Sequence, residues 1–141
     1  MIYADTSAMV PAFIRESRSE AVLNWIETSG ERLVVSEWTI AEFSSAAAIK
    51  VRTGQTEAAL AKRATERFMD FVQKHCHIAV PQRADFRRAA QLAGDPRRKL
   101  RAGDALHLAI AEASKVDGIL CLDVGMAESA EALGMSVIVV E

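Results

Sequence analysis

Asp5-Thr6-Ser7 follows a short apolar run at the N-terminus, Asp123 follows a second such run at 119–122, and Asp104 lies just after Gly103 at the opening of an apolar helical segment. Each has an ordinary structural role open to it, because Asp and Ser are favoured helix N-caps whose side-chain oxygen accepts a free backbone N–H. Caps need not share a location, whereas ligands of one ion must. If Asp5 and Asp123 end neighbouring parallel strands, their carboxylates enter one crevice, where their repulsion is costly without a cation. Glu42 adds a fourth acid. On a helix it falls on one side with Trp38, Ser45 and Ile49, which predicts a half-buried carboxylate that is protonated, paired or metal-bound. The alternative is an exposed edge of that stripe.

Carboxylates with few imidazoles or thiols suit a hard divalent cation, Mg2+ or Mn2+, better than zinc. The three histidines, His75, His77 and His107, include no His-x-x-x-His pair. His107 follows Asp104 by three residues, one helical turn, so it is within reach of the same place. Local packing or hydrogen bonding is its commoner role. Beside Asp104 runs a basic stretch. From Arg83 to Arg101 seven cations face two acids, a segment of +5 in a chain whose net charge is −2. Arg97, Arg98, Lys99 and Arg101 abut Asp104. A cationic rim around an acidic, metal-binding centre is what cleavage of a polyanion requires, and a solvated charged loop is the competing explanation. There is no G-x-G-x-x-G, no G-K-[ST] and no G-x-S-x-G, so dinucleotide, P-loop and nucleophile-elbow chemistry lack support. An N-terminal strand ending in Asp also suits phosphotransfer through an aspartyl intermediate, but Ser7 stands where that chemistry usually places a second Asp. Cys76, between His75 and His77, reads as a small buried residue.

These side chains need a scaffold. Runs at 1–4, 32–35, 77–80, 119–122 and 136–140 are short, bulky or β-branched, and bounded by Gly, Ser, Asp or Pro. The last is apolar on consecutive positions, which predicts burial on both faces. Between the strands lie helical stripes: Val22, Leu23 and Ile26; Leu60, Ala64, Phe68, Phe71 and Val72; Leu106, Ala109, Ile110 and Ala113. From 36 to 76 the pattern predicts two successive helices, with Thr53-Gly54 as the turn, and Gly94-Asp95-Pro96 closes a helix begun near Arg83. Strands separated by helices imply right-handed crossovers and a parallel sheet covered on both faces. Such sheets bind ligands at the strands' carboxyl ends, where the strand order reverses.

The 141 residues, half of them apolar, 26% charged and 6% aromatic, fit a single globular domain over 1–141 and argue against intrinsic disorder. Near-neutral charge excludes a uniformly basic nucleic-acid binder while permitting a local patch. Two cysteines make neither a disulfide framework nor a four-thiolate zinc site. With no signal-like N-terminus and no apolar run of membrane-spanning length, a cytoplasmic protein is expected.

Taken in order, Asp5-Thr6-Ser7, Glu42, the stretch Leu100-Arg101-Ala102-Gly103-Asp104-Ala105-Leu106-His107-Leu108-Ala109, and Leu120-Cys121-Leu122-Asp123 resemble the PIN-domain ribonucleases, and among these the VapC-like toxins of toxin–antitoxin pairs. The resemblance implies a three-layer α/β/α sandwich around a parallel sheet, with Asp5, Glu42, Asp104 and Asp123 converging on one or two Mg2+ or Mn2+ ions. It implies in-line hydrolysis of RNA phosphodiesters, with Thr6 or Ser7 orienting a carboxylate or a water; the charge map adds the expectation that the basic run Arg97, Arg98, Lys99 and Arg101 meets the RNA backbone. A homodimer and a VapB-like antitoxin are the implied partners. Cys121 departs from the Thr or Ser usual two residues before the family's last Asp, and a thiol is a poor substitute for a hydroxyl. A PIN-like domain that processes RNA, or only binds RNA or protein, is the alternative to a toxin.

Overall fold

The computed structural model describes residues 1–141. Five parallel strands are ordered β3-β2-β1-β4-β5: β1 (Ile2–Ala4), β2 (Leu33–Ser36), β3 (Cys76–Ala79), β4 (Gly118–Leu120) and β5 (Ser136–Ile138). The chain builds outward from β1 to β2 and β3, then returns to β1's other side for β4 and β5. The order therefore reverses between β1 and β4, where Ile2, Tyr3 and Ala4 pair with Gly118, Ile119 and Leu120. That is the switch point at which an open parallel sheet receives ligands.

Seven helices cover the sheet: α1 (Thr6–Phe13), α2 (Ser19–Thr28), α3 (Glu37–Arg52), α4 (Ala58–His75), α5 (Arg83–Ala93), α6 (Ala102–Ala113) and α7 (Val124–Ala132). Because side chains alternate across a strand, each strand feeds two cores. Ile2, Ala4, Leu33, Val35 and Leu120 face one, with Met9, Val22, Phe43, Phe68 and Val72 from α1 to α4. Tyr3, Val34 and Ile119 face the other, with Leu92, Leu106, Leu108, Ile110 and Met126 from α5 to α7. This is the α/β/α sandwich. The first core centres on Phe43 stacked against Phe68, with ring centroids 4.0 Å apart.

Some expected stripes shift. Leu23, Leu60 and Ile49 are exposed. Their helices bury Val22 on α2, Ala61, Ala64, Phe68 and Val72 on α4, and Thr39, Phe43 and Ala47 on α3. β5 is an edge strand, with Ser136 and Val139 exposed and Val137 and Ile138 half-buried, so it is not covered on both faces. Helix α6, by contrast, is buried from Ala105 to Ala111, packed between the sheet and its neighbours. Gly118 lets β4 and β5 approach: a Cβ there would lie 2.7 Å from the Ser136 carbonyl oxygen. Gly118→Ala is expected to cost about 1–3 kcal/mol of stability, the usual range for overpacking, measured by urea unfolding.

Candidate active site

Asp5 leaves β1 at the switch point. Its backbone N–H donates to the Leu120 carbonyl at 3.2 Å, holding it beside β4. The side chain is 4% exposed and caps α1 through the Ser7 N–H at 3.2 Å. Ser7 does more than accompany it. Its hydroxyl donates to Asp5 Oδ1 at 2.7 Å and accepts from the Leu122 N–H at 2.8 Å, tying the ends of two adjacent strands together. Burial pushes the Asp5 carboxyl up to about 6, against the lowering influence of His107 and the Ser7 hydrogen bonds, and the charge of Glu42 raises it further.

Glu42 is half-buried, as its spacing predicts, but for a different reason. Ser45 and Ile49 face solvent, and Glu42 stands at the border of the buried Thr39–Phe43–Ala47 stripe, where it turns toward α6. Thr6 Oγ1 donates to its Oε1 at 2.7 Å, and His107 Nε2 contacts the same oxygen. Burial raises the Glu42 carboxyl, but those two hydrogen bonds outweigh it and hold the group below its ordinary value. His107, 1% exposed, is thus bonded 65 residues away in sequence rather than locally. Its other nitrogen, Nδ1, lies 2.7 Å from the hydroxyl of Tyr3, which in turn meets Ser36 Oγ at 3.0 Å. Sequence reading missed Tyr3 and Ser36 altogether; the one available signal was a Tyr and a Ser in apolar strands, each needing a buried partner.

Asp104 is the third residue of α6 and not its cap, which is Arg101. Its carboxyl is raised, first by burial and then by the negative charges of Asp123 and Glu42. Asp123 is exposed and caps α7 by accepting the Met126 N–H at 2.8 Å. Cys121 is buried, with its thiol 3.8 Å from Ser7 Oγ and 3.4 Å from the Asp123 carbonyl. Burial and the neighbouring Asp5 push that thiol up to about 12, so it stays protonated at neutral pH. Cys76 lies on the edge strand β3, half-buried.

Of the basic run, Arg97 is held by Asp95 through two hydrogen bonds of 3.0 Å, and Arg98 lies 3.7 Å from the same carboxylate. Lys99 and Arg101 are exposed. One aspartate therefore contacts two of the four cations and offsets one positive charge, so the stretch keeps a positive excess.

Asp5 and Asp104 thus each feel the charge of Glu42, and Asp104 also feels that of Asp123. The gathering is looser than a closed cage: no three His, Cys, Asp or Glu side chains stand together as a preformed metal cluster. The donor set nonetheless fits Mg2+ or Mn2+. It is all hard oxygen, two of its carboxyls, Asp5 and Asp104, are raised by burial and by neighbouring acids, and Mg2+ binds through one or two carboxylates with waters and substrate phosphates completing its shell.

A protein-family model for the PIN domain matches residues 2–133. No curated protein sequence matches the chain. Solved structures share its fold at low identity. The Mycobacterium tuberculosis VapC20 structure, described as a Sarcin-Ricin loop cleaving toxin, superposes with a TM-score of 0.73 at 13% identity, over 92% of this chain and 95% of that one. VapBC2 from Rickettsia felis, bound to a DNA fragment from their promoter, gives 0.69 at 14% identity over the whole of both chains. FitAcB from Neisseria gonorrhoeae gives 0.63 at 17%, over 99% and 97%.

Proposed function

The chain belongs to the PIN domain family, and from that premise we propose that it is a metal-dependent endoribonuclease, the toxin of a VapC-like toxin–antitoxin pair. The observation that supports this reading is a run of charge couplings that starts at the β1–β4 switch point, Asp5 with Glu42, Glu42 with Asp104, and Asp104 with Asp123. These four would hold Mg2+ or Mn2+. Such an ion would supply a more acidic attacking water and neutralise charge at the scissile phosphate.

The chain's own groups do the rest. Ser7 fixes the direction of Asp5 by holding Oδ1, and its link to Leu122 N–H keeps the β1 and β4 ends in register. Thr6 and His107 do the same for Glu42. Arg97, Arg98, Lys99 and Arg101 neutralise the RNA backbone, which positions the strand without reading its bases. No helix is long and apolar enough to cross a membrane. We place the protein in the cytoplasm as one PIN-like domain over 1–141, paired as a homodimer and restrained by a VapB-like antitoxin.

The test is cleavage of total RNA by the purified protein. Cleavage is expected with Mg2+ or Mn2+, to stop with EDTA, and to return when the ion is restored; cleavage undiminished in EDTA would refute the reading. A second expectation concerns the rim. Replacing Arg97 and Arg98 together by Ala should weaken RNA binding and flatten its salt dependence, by roughly 0.7 in the log–log slope for each phosphate no longer neutralised. An unchanged slope in filter-binding titrations would remove both residues from the interface.

A further inference from the structure

Behind Glu42 runs a line of buried hydroxyls and one imidazole. Thr39 Oγ1 lies 3.2 Å from Ser36 Oγ, Ser36 Oγ lies 3.0 Å from the Tyr3 hydroxyl, and that hydroxyl lies 2.7 Å from His107 Nδ1. His107 Nε2 then meets Glu42 Oε1. Tyr3, Ser36 and Thr39 are fully buried. The direction of the chain follows from its end. A carboxylate only accepts hydrogen bonds, so in the neutral imidazole the single proton sits on Nε2. Nδ1 is then free to accept from Tyr3, Tyr3 to accept from Ser36, and Ser36 to accept from Thr39. Every donor points one way, toward Glu42, and no buried side-chain nitrogen or oxygen lacks a partner.

The arrangement divides the two oxygens of Glu42. Oε1 receives both His107 and Thr6. Oε2 has no hydrogen-bonded partner and lies on the Gly103 side, 3.3 Å from where a Cβ on that glycine would be. Trp38 closes the same flank, its indole N–H donating to the Gly103 carbonyl at 3.3 Å. We propose that His107, held in one tautomer by Tyr3, is a positioning residue: with Thr6 it occupies Glu42 Oε1 and so presents Oε2 alone toward the cation. The consequence for the cation rests on the nuclease reading above; the alignment of His107 does not.

The test uses the full chain without RNA. Mn2+ affinity is measured by calorimetry for wild type, His107→Leu, His107→Gln and Thr6→Val, and the tautomer of His107 is read from its ring nitrogen NMR shifts. Outer-shell partners of a metal site typically contribute 10–100-fold in affinity. His107→Leu is therefore expected to weaken Mn2+ binding by about 10–100-fold, and His107→Gln, which keeps an N–H donor, to recover most of the loss. Thr6→Val, at a half-exposed position on α1, removes the other donor without opening the core, and gives the same direction of change if His107→Leu does not fold. The wild-type nitrogen pattern is expected to show the proton on Nε2. A proton on Nδ1, alone or beside one on Nε2, Mn2+ binding of wild-type strength in His107→Leu or, where that variant does not fold, in Thr6→Val, or a Gln variant as weak as the Leu variant overturns the inference while leaving the nuclease reading intact. A wild type that binds no Mn2+ but shows the Nε2 proton overturns the nuclease reading, and with it the cation's part in the inference.

Discussion

Asp5→Asn is expected to abolish RNA cleavage and, in the absence of divalent ions, to make the protein more stable above pH 6. The two outcomes have one cause. Asp5 is buried, and burial holds its carboxyl at about 6 in the folded chain against 3.8 for the ordinary group. The folded state therefore keeps the proton that the unfolded state has already released. Between about pH 4 and pH 6 the folded chain binds more protons, so stability falls as pH rises through that window, and the deficit is complete above it. A shift of about two units corresponds to roughly 3 kcal/mol at most. Asn resembles the protonated acid in shape and still accepts one of the Ser7 hydrogen bonds, so it removes the penalty. The gain of Asn over Asp should vanish below pH 4, grow through pH 6 and then level off, reaching roughly 5–10 °C in Tm. Outer-shell groups at metal sites already cost 10–100-fold when removed, so loss of a direct ligand should cost more than about 100-fold in cleavage. Mg2+ should raise the Tm of wild type, as any ligand of the native state does, and leave that of Asp5→Asn nearly unchanged. Thermal melts from pH 4 to pH 8, with and without Mg2+, check every part. An Asn variant that melts below wild type at pH 8 would show that Asp5 is only a cap.

Asp5 was legible because it stands at the end of β1, a fixed place in the fold once β1 and β4 are neighbours, whereas β4 ends at Leu120 and Asp123 lies three residues beyond it. Both also cap a helix, and Asp5 does so while standing at the switch point, so capping does not exclude a place there. Asp104 was harder to place, because the start of α6 lies two residues earlier than the Gly103 break suggests, and its true cap, Arg101, makes no side-chain capping bond. The face of α3 was misjudged by a small rotation. Trp38 and Ile49 look like its apolar stripe in a helical projection, but the stacked Phe43–Phe68 pair sets the orientation and leaves Ile49 in water. The edge position of β5 was hidden for a related reason: an apolar run reads the same at the centre of a sheet and at its border. The reach of His107 toward the acids was legible from its spacing after Asp104, but its partners were not. Its partners, Tyr3 and Glu42, come from β1 and α3, and only the closed sheet brings them to α6.

Asp104→Asn offers the cleaner separation of chemistry from structure. Asp5 and Asp123 each hold a helix end, so their loss mixes a structural effect with a chemical one. Asp104, at the third position of α6, is not the residue that caps the helix. What Asn cannot reproduce is the negative charge, and that charge is unfavourable where it sits. Burial raises the Asp104 carboxyl, and Asp123 and Glu42 raise it further. Removing one negative charge from the crevice should therefore leave the fold at least as stable at pH 7 without divalent ions, while a favourable effect of that acid near a helix N-terminus, about 0.3–1 kcal/mol, works against the gain. Cleavage should nonetheless fall by more than about 100-fold, since losing an outer-shell partner alone costs 10–100-fold. A protein whose acids were kept for structure would show the reverse, with a lower Tm and intact cleavage. Parallel Tm and RNA-cleavage measurements on wild type and Asp104→Asn decide between the two, and a variant that cleaves at the wild-type rate would take Asp104 out of the reaction.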